Sequence, residues 1–553
     1  MALTKASYSL ITGAPVNVLD YGADSTGEAD STTAINAALT AGAGGAVFIP
    51  AGTYKTTAAL TVSANTLVYG AGKGASKISC TNANVSQIVL TGNLISLQDL
   101  TISVTVAGTT SNIGGVIVNG NNNSILNVEI IGVSWAGIFL TAASSYNLVD
   151  NCYFHGFQGS VQDSADVCFS YLTGSTSYNT VRNNVMYGGN WHGVLILGTT
   201  SANPQYNLIT GNRIGQHSTY GIVDYRQADL DSFNQITNNY IENIQGSTLA
   251  GNSGAGIYCV ATGGVLIEGN TINNCCVQTT TVSLAPAGIG INGVGSGVAP
   301  INIIGNVIEN MTKYEGIYVV SSSNGCNVIG NRIRMPANTT GSGGVYINAS
   351  SNVLVNGNNI NITPTTGNTV DGIFVNPLSA INNIVISDNT ITGGNAYAIR
   401  FYSGTSSSSG VSINGNAAYG GGTTAGGLQL ASIIGGVVTG NNCSQTTANS
   451  INVTNCTYLR IANNYLTTTG SSAVATLGTC TGSYFDKTNY WSGTMSNGAT
   501  GLIVEQLNNA APAAGTWAVG DRIEQSVPVA GQPKGWRCTV AGTPGTWVSE
   551  GNL

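Results

Sequence analysis

The stretch LITGNRI (208–214) returns in altered form as QITNNYI (235–241) and LIEGNTI (266–272). Each copy is an apolar run, then Gly-Asn or Asn-Asn, then an apolar residue two places on. Gaps of 23 to 36 residues separate the second Asn of successive phrases, at Asn184, Asn212, Asn239, Asn270, Asn306, Asn331, Asn358, Asn389, Asn416, Asn441 and Asn464. A period of this size predicts a solenoid. The Val/Ile alternation around each Asn predicts that the repeats are built of strands.

The Asn and its Gly neighbour suit a sharp corner of the chain. Asn tolerates left-handed backbone, and Gly adopts it at no steric cost. Asn side chains at one corner of every coil can stack and hydrogen-bond from coil to coil. A second strand signal follows each phrase, as in GIVDY (221–225) and GIYVV (316–320). We therefore predict an all-β, right-handed parallel β-helix of about fifteen coils with two strands per coil. A leucine-rich or α-helical solenoid is disfavoured, since no segment with helical periodicity recurs.

Composition excludes several classes of protein. The 553 residues include only 16 basic and 23 acidic side chains, with a net charge of −7, so nucleic acid is not expected as a partner. No apolar run reaches membrane-spanning length, and we expect no membrane insertion. The eleven Cys residues are scattered, which favours small core groups over disulfides. Without clustered Cys or His spacing we expect no metal and no cofactor.

The N-terminal residues predict a short helix. Asp30 and Ser31 can cap it, and Ile35, Ala38 and Leu39 form its apolar face. We expect this helix to plug the open end of the solenoid. The flanking segments VLDYGAD (18–24) and VFIPAGTY (47–54) resemble the opening motif of pectate-lyase-like β-helix proteins. TKASYSLITGAPVN (4–17) resembles the junction found in bacteriophage tailspikes.

This resemblance implies a homotrimeric tailspike of the virion tail, attached to the phage tail or baseplate. Its partner would be a bacterial surface polysaccharide. We predict three regions: residues 1–45 as junction and capping helix, 46–485 as β-helix, and 486–553 as a small β module. The last holds four of the six Trp residues. It resembles the C-terminal modules of phage tail proteins, which serve trimerisation or sugar contact, and a simple end cap is the alternative.

Aligning the second strand signal gives an outward column of aromatic side chains: Tyr258, Tyr318, Tyr346 and Phe374. Aromatic rings present rigid apolar area to which pyranose faces can stack. The alternative is burial between subunits of a trimer. The same alignment turns Asp224 inward, where other coils have apolar residues. Either a bulge turns Asp224 outward, or it is a buried acid with a raised pKa.

Acids, His and aromatic residues concentrate between residues 150 and 242. Glycoside hydrolysis needs two carboxyl groups, about 5–5.5 Å apart for retention and about 6.5–9.5 Å for inversion. One or two coils supply these spacings. The preferred catalytic candidates are Asp224, Asp229, Asp231 and Glu242, paired across the loop that follows Asp224. Trp191, His192, Tyr220 and Arg226, with Tyr258, Tyr318 and Tyr346, are candidates for substrate binding. All three His residues, including His217, fall between residues 155 and 217, and Asp163 and Asp166 lie one or two coils below Trp191 and Tyr220. Glu309, Glu315 and Asp371 are second-choice acids.

Three functions fit these patterns. The first is an endo-glycosidase that cuts a capsule or O-antigen with a carboxylate pair. The second is a polysaccharide lyase, which needs a base near a uronic C5 and a cation to neutralise the carboxylate. The third is a receptor-binding fibre that binds without cleavage. The resemblance and the acid cluster favour the endo-glycosidase.

Overall fold

The computed structural model describes residues 13–141, 144–158, 163–169, 174, 176–189, 191–199, 203–245, 254–276, 286–293, 299–321, 325–338, 343–364, 369–402, 406–419, 426–445, 449–468 and 472–553. The side chains of residues 228, 229, 337, 364 and 445 are outside this description. The protein is an all-β parallel solenoid of about 15 turns. It divides into two units. The N-terminal unit extends to Gly290 and also includes Ala299, whereas the C-terminal unit begins at Ile291 and includes the residues from Pro300 onward.

In the N-terminal unit the coils contain three strands rather than the predicted two. The first sheet consists of Leu60–Val62, Ile88–Leu90, Gly114–Val118, Ala136–Leu140, Ala165–Phe169, His192–Gly198, Tyr220–Asp231, Ala255–Gly263 and the start of Ala287–Asn292. The second consists of Val16–Asn17, Ala46–Ile49, Leu67–Gly70, Ser96–Gln98, Ser124–Leu126, Leu148–Asp150, Thr180–Arg182, Leu208–Thr210, Gln235–Thr237 and Leu266–Glu268. The third consists of Thr26–Asp30, Gly52–Thr56, Ser76–Cys80, Thr101–Val104, Glu129–Ile131, Tyr153–His155, Val185–Tyr187, Arg213–Gly215, Tyr240–Glu242 and Thr271–Asn273.

The C-terminal unit repeats this plan. Its first sheet has Glu315–Val320, Gly343–Asn348, Asp371–Asn376, Ile399–Phe401, Leu428–Ala431, Ile451–Thr454, Val474–Phe485 and Met495–Asn508. The second has Ile301–Ile304, Cys326–Ile329, Val353–Asn356, Asn382–Ser387, Ser408–Asn414, Ile433–Thr439 and Thr457–Ala462. The third has Val307–Glu309, Arg332–Asn338, Asn359–Pro364, Thr390–Gly393, Ala417–Tyr419, Asn442–Gln445, Tyr465–Thr468 and Tyr490–Ser492.

The extra strand explains the Asn phrase. In LITGNRI the residues Leu208–Thr210 and Arg213–Gly215 are separate three-residue strands, and Asn212 lies at the corner between them. Each strand is so short that the phrase looks like one strand in the sequence. The predicted count of two strands per coil is therefore wrong, whereas the predicted parallel stacking is confirmed.

The corner asparagines stack as predicted. The Asn184 Nδ2 atom donates to Asn212 Oδ1 at 2.9 Å, and Asn212 Nδ2 donates to Asn239 Oδ1 at 3.0 Å. The same bonds connect the corners of the C-terminal unit, from Asn306 through Asn331, Asn358, Asn389, Asn416, Asn441 and Asn464 to Asn489. Each amide also donates to a backbone carbonyl, as Asn358 does to Val328 at 2.9 Å. These buried amides thus satisfy backbone groups at every corner.

A second Asn ladder, which the sequence analysis missed, lies at another corner of the N-terminal unit. It runs through Asn147, Asn179, Asn207 and Asn234, with amide-to-carbonyl distances of 3.0 to 3.2 Å. The rings one residue before these Asn residues stack into a parallel ladder of three exposed tyrosines and one half-buried phenylalanine: Tyr146, Tyr178, Tyr206 and Phe233. A Tyr-Asn or Phe-Asn pair in successive coils is the sequence signal for it.

The chain ends match the predictions in part. A 3₁₀ helix spans Val18–Tyr21 and an α-helix spans Thr32–Ala41, with Ile35, Ala38 and Leu39 buried. Asp30 Oδ1 accepts from Thr32 N at 3.0 Å at the start of the α-helix. Its role as an end plug stays a prediction. At the other end, Met495–Asn508 still pairs with Val474–Phe485, so coil pairing continues beyond residue 485. Antiparallel pairing connects Arg522–Gln525, Gly535–Val540 and Thr546–Ser549 into a small β module.

Most side chains of the interior are apolar. Strand residues such as Val194, Ile222 and Ile257 lie at equivalent rungs and are fully buried. All eleven cysteines are described, buried and free of disulfide bonds. No described helix has the length and hydropathy to cross a membrane.

Candidate functional site

The three preferred carboxylates whose side chains the structure describes are not brought together on one face of the N-terminal unit. Asp224 faces the core in the first sheet, in register with Ile196 and Cys259. Glu242 is at the end of a third-sheet strand, where its Oε1 contacts Arg213 Nη2 at 2.8 Å. Asp231 Oδ1 accepts from the Ala299 backbone N–H at 2.6 Å. Asp229 lies in the strand Tyr220–Asp231, and its side chain is outside the described residues.

Asp224 is a buried acid, and the bulge in its strand falls after Tyr225. The Asp224 Oδ1 atom is 2.8 Å from Arg226 Nη2, and neither side chain is exposed. Asn234 Nδ2 donates to Asp224 Oδ2 at 2.8 Å, so the pair terminates the second Asn ladder. Burial raises the pKa of Asp224 and lowers the pKa of Arg226, while their mutual attraction opposes both shifts. Arg226, expected at a substrate surface, is instead a core partner of Asp224.

The strand geometry explains this outcome. Arg226 was predicted to lie in a loop after Asp224, but the strand that begins at Tyr220 continues to Asp231. Residues i and i+2 of a strand face the same side, so Arg226 points inward with Asp224. Gly198 makes the room, since a Cβ there would lie 2.2 Å from Arg226 Nη1.

His192 and Tyr220 lie on neighbouring rungs of the first sheet. Their rings stack at 5.4 Å, and Tyr220 stacks on Tyr258 at 4.9 Å. Tyr258 and Tyr220 are almost fully buried, so their ring faces contact each other rather than solvent. Trp191 is half-buried, with its ring edge-on to His192 at 5.9 Å. His192 Nε2 is 4.0 Å from Asp163 Oδ1, and half of the Asp163 side chain is exposed.

The C-terminal unit brings two of the second-choice acids beside the outward aromatic column. Glu315 and Asp371 each begin a first-sheet strand, and Gly343 begins the strand between them. The register pairs Gly343 with Asp371 and Ile317 with Val345, which places Glu315 two rungs from Asp371. Two rungs separate their backbones by roughly 9.5 Å. Both side chains are largely buried, and Gly343 leaves the intervening rung without a side chain.

The aromatic column runs along these rungs. Tyr318, Tyr346 and Phe374 are in register and half-buried, with ring centroids 4.8 and 5.0 Å apart. The ring faces therefore stack on one another, and ring edges form the outer surface. Asn376 Nδ2 donates to the Tyr346 hydroxyl at 3.0 Å, and Asn348 Nδ2 donates to the Tyr318 hydroxyl at 3.2 Å. Burial raises the pKa of both tyrosines.

Arg400 completes this column, although it is not among the predicted site residues. Its guanidinium carbon lies 4.8 Å from the Phe374 ring and 4.9 Å from the ring of Tyr402. Its Nη1 is 3.6 Å from Asp371 Oδ2. The sequence already places Arg400 at the position of Phe374 in the next coil, but the repeat alone does not predict that the guanidinium stacks on the ring.

Asp371 is held in a largely water-free setting. Its Oδ1 accepts from the Tyr397 backbone N–H at 2.7 Å. Burial raises the pKa of Asp371 to about 6, although the Tyr397 bond and Arg400 oppose this shift. A carboxyl group with such a pKa can hold a proton near neutral pH and donate it to a leaving group. Glu309, the third second-choice acid, is in a third-sheet strand and contacts Arg332 at 3.3 Å.

No metal site is found in the part of the chain that the structure describes: three or more His, Cys, Asp or Glu side chains are not clustered there. The arrangement of Glu315, Asp371, Arg400 and the aromatic column offers acid–base groups and ring edges. A carboxyl group with a raised pKa in such a setting can exchange a proton near neutral pH.

Comparisons with known proteins bear on the fold. Residues 114–279 and 171–360 match the family model described as right handed beta helix region, in agreement with the predicted handedness. No protein with a curated description matches the sequence. The chain is similar to the A-module of mannuronan C-5 epimerase AlgE6 from Azotobacter vinelandii, at 18% identity and a TM-score of 0.37, over 73% of this chain and 94% of that one.

Two further solved structures are similar. One is PfbA, a surface adhesin of Streptococcus pneumoniae, at 18% identity and a TM-score of 0.42, over 72% of this chain and 89% of that one. The other is tailspike protein 3 of bacteriophage CBA120, at 13% identity and a TM-score of 0.37, over 100% of this chain and 72% of that one. These likenesses select neither a reaction nor a substrate.

Proposed function

We propose that this protein is a phage tailspike that binds a bacterial surface polysaccharide and cuts it by endo-glycoside hydrolysis. Asp371 is the general acid and Glu315 the general base. One observation carries the proposal: two largely buried carboxyl groups lie two rungs apart beside a stacked aromatic column. The resemblance of residues 4–17 to the junction found in bacteriophage tailspikes supports the virion setting. The homotrimer and the attachment to a tail or baseplate belong to this proposal too.

The chemistry follows from the two environments. Asp371, protonated below its raised pKa, donates its proton to the glycosidic oxygen as that bond breaks. Glu315 takes a proton from a water that attacks the anomeric carbon from the opposite face. A spacing near two rungs leaves room for this water and favours inversion of the anomeric centre. The edges of Tyr318 and Tyr346, with Arg400 and Tyr402, provide contacts to the sugar rings.

The decisive experiment is incubation with a panel of purified capsular and O-antigen polysaccharides, followed by mass spectrometry of the products. A hydrolase gives fragments that each gain one water. A lyase gives fragments without that water and with an unsaturated uronate at one end. Binding without any fragments would favour the receptor-binding fibre. The second and third outcomes contradict the proposal.

Cleavage should depend on pH in a direction set by Asp371. The general acid must be protonated, and the pKa of Asp371 is raised to about 6. Its protonated fraction, and therefore the turnover rate, falls as the pH rises above that value. We expect the rate to fall about tenfold per pH unit well above the pKa. Turnover measured at saturating polymer across the pH range checks this. A rate that stays constant far above pH 6 would exclude Asp371 as the acid.

A further inference from the structure

A buried Asp–His pair interrupts the apolar core of the N-terminal unit. His217 Nε2 is 2.9 Å from Asp166 Oδ2, and both side chains are fully buried. At the rung position of Asp166, neighbouring coils have Gly137, Gly193 and Gly221. A Cβ at Gly193 or Gly221 would lie 2.5 to 2.6 Å from a core Ile. Asp166 is therefore the exception in a column that otherwise requires glycine.

His217 is also an exception in its own column. It follows the left-handed corner residue Gln216, whereas the next coil has Asn243 followed by buried Ile244. The coil on the other side has Gly189 at this position. A Cβ on Gly189 would lie 2.6 Å from the His217 ring and 3.3 Å from Asp166 Oδ1. Asp166, His217 and Gly189 thus all depart from the repeat pattern, and together they accommodate one polar pair.

Stability alone does not account for the pair. Burying two ionisable groups costs desolvation, and apolar replacement of both is often neutral or stabilising. Among the described residues, Asp166 Oδ1, His217 Nδ1 and His192 Nδ1 are buried without a hydrogen-bond partner. Buried polar atoms of this kind call for an explanation outside packing.

The pair lies close to His192, a buried residue whose neighbours Asp163 and Trp191 are half-exposed and half-buried. A Cβ at Gly193, the residue after His192, would lie 3.6 Å from His217 Cε1. Burial, and then the charge of His217, lower the pKa of His192, which Asp163 opposes. Tyr220 stacks on His192 from the next rung, and His155 acts on Asp166. His192 therefore lies between a half-exposed carboxylate, Asp163, and the buried pair.

We propose that Asp163, Trp191 and His192 form a second glycan-contact site, for a neutral pyranose, and that the Asp166–His217 pair is its positioning element. Trp191 receives the sugar ring and Asp163 bonds to a hydroxyl, while the buried His192 supports both from within, 4.0 Å from Asp163 and edge-on to Trp191. Asp163 is the charged group at the surface of this cluster, so it repels a uronate. The choice of a glycan rests on the proposed function, but the positioning role does not.

The positioning role can be tested without any glycan. The chain has only three His residues, so ¹³C labelling at Cε1 gives few signals. Asp166→Gly with His217→Ile restores the residue types of neighbouring coils. In this double variant we expect the His192 signal to move, because the two polar groups packed next to its coil are lost. Asp166→Asn keeps a bond acceptor for His217 and should leave the His192 shift closer to the native value.

Thermal unfolding separates function from folding. Asp166→Gly and His217→Ile, made singly, should each lower the midpoint of thermal unfolding more than the double variant does. Each single change leaves one member of the buried pair without its partner. An unchanged His192 signal in the double variant and in Asp166→Asn would overturn the positioning role.

The ligand class is tested with methyl α-D-glucopyranoside and its uronate counterpart. The neutral sugar should shift the His192 signal in the native protein, and the shift should vanish in Trp191→Ala. A response to the uronate alone, or to neither sugar, would overturn the contact site. Asp371→Asn leaves Asp163, Trp191 and His192 unchanged, so it should affect polymer cleavage but not the response of the His192 signal to the sugar. A failure of the proposed hydrolysis is therefore distinguishable from a failure of the contact site.

Discussion

Replacing Asp371 by Asn is expected to reduce polysaccharide cleavage by at least about a hundredfold, the lower end of what a general acid contributes. The amide has the same shape and can still accept from the Tyr397 N–H, which Asp371 does at 2.7 Å. It cannot deliver a proton to the leaving oxygen. Because the sugar contacts remain, polymer binding should stay near the native level. Release of reducing ends below about pH 6 measures the loss, since native Asp371 is protonated there.

Asp388→Asn is the matched control. Asp388 lies in the same unit but is exposed at a corner with φ 56°, a conformation that Asn also adopts readily. This variant should cleave like the native protein. If Asp371→Asn retains activity within about threefold of that control, Asp371 is not the general acid. Glu315→Gln extends the test to the proposed base, with a loss of similar size expected.

The second large effect concerns stability. Arg226→Met should lower the free energy of unfolding by about 3–5 kcal/mol, because it leaves Asp224 as an uncompensated buried charge. Arg226 Nη2 contacts Asp224 at 2.8 Å and also donates to the Pro204 carbonyl at 2.7 Å. Denaturant unfolding followed by circular dichroism gives the change for the N-terminal unit.

Arg213→Met is the comparison for this variant. Its pair with Glu242 has the same 2.8 Å distance, but 59% of the Arg213 side chain is exposed. Exposed pairs contribute less than about 1 kcal/mol, so this variant should unfold almost like the native protein. Adding Asp224→Leu to Arg226→Met should recover part of the loss. Equal effects of the two Arg variants would show that the buried pair does not stabilise the core.

Repetition made much of the fold predictable. At each corner the first residue of the pair is left-handed, as Gly211 is with φ 65°, and the Asn that follows it satisfies backbone groups. The Gly-Asn or Asn-Asn pair therefore recurs in coil after coil, and the bond from Asn184 to Asn212 follows from that. Strand alternation fixed the inward side of Asp224 and the outward column from Tyr318 to Phe374. These features depend only on period and phase, which the sequence states directly.

The polar pairs were harder to predict. Asp166 and His217 are 51 residues apart and reach each other across the core from different segments of the coil. Their pairing depends on how the corners rotate each side chain, and the phrase-based alignment did not include those corners. Arg226 shows the opposite case, because an Asp-Tyr-Arg spacing of two residues within one strand is itself a signal for a same-side pair.

The ladder of corner amides makes each coil a removable module. Asn331 and Asn358 hold the same corner on successive turns, and each bonds to the next Asn in the same way. Excising residues 332–358 would let Asn331 bond to Asn389 and would bring the strand of Glu315 directly against that of Asp371. The two carboxyl groups would then be about 5 Å apart, a separation typical of retaining glycosidases. Gain or loss of a single turn is thus a route by which such a scaffold can exchange one stereochemical outcome for the other, and NMR of the freshly released anomer in the shortened protein would reveal it.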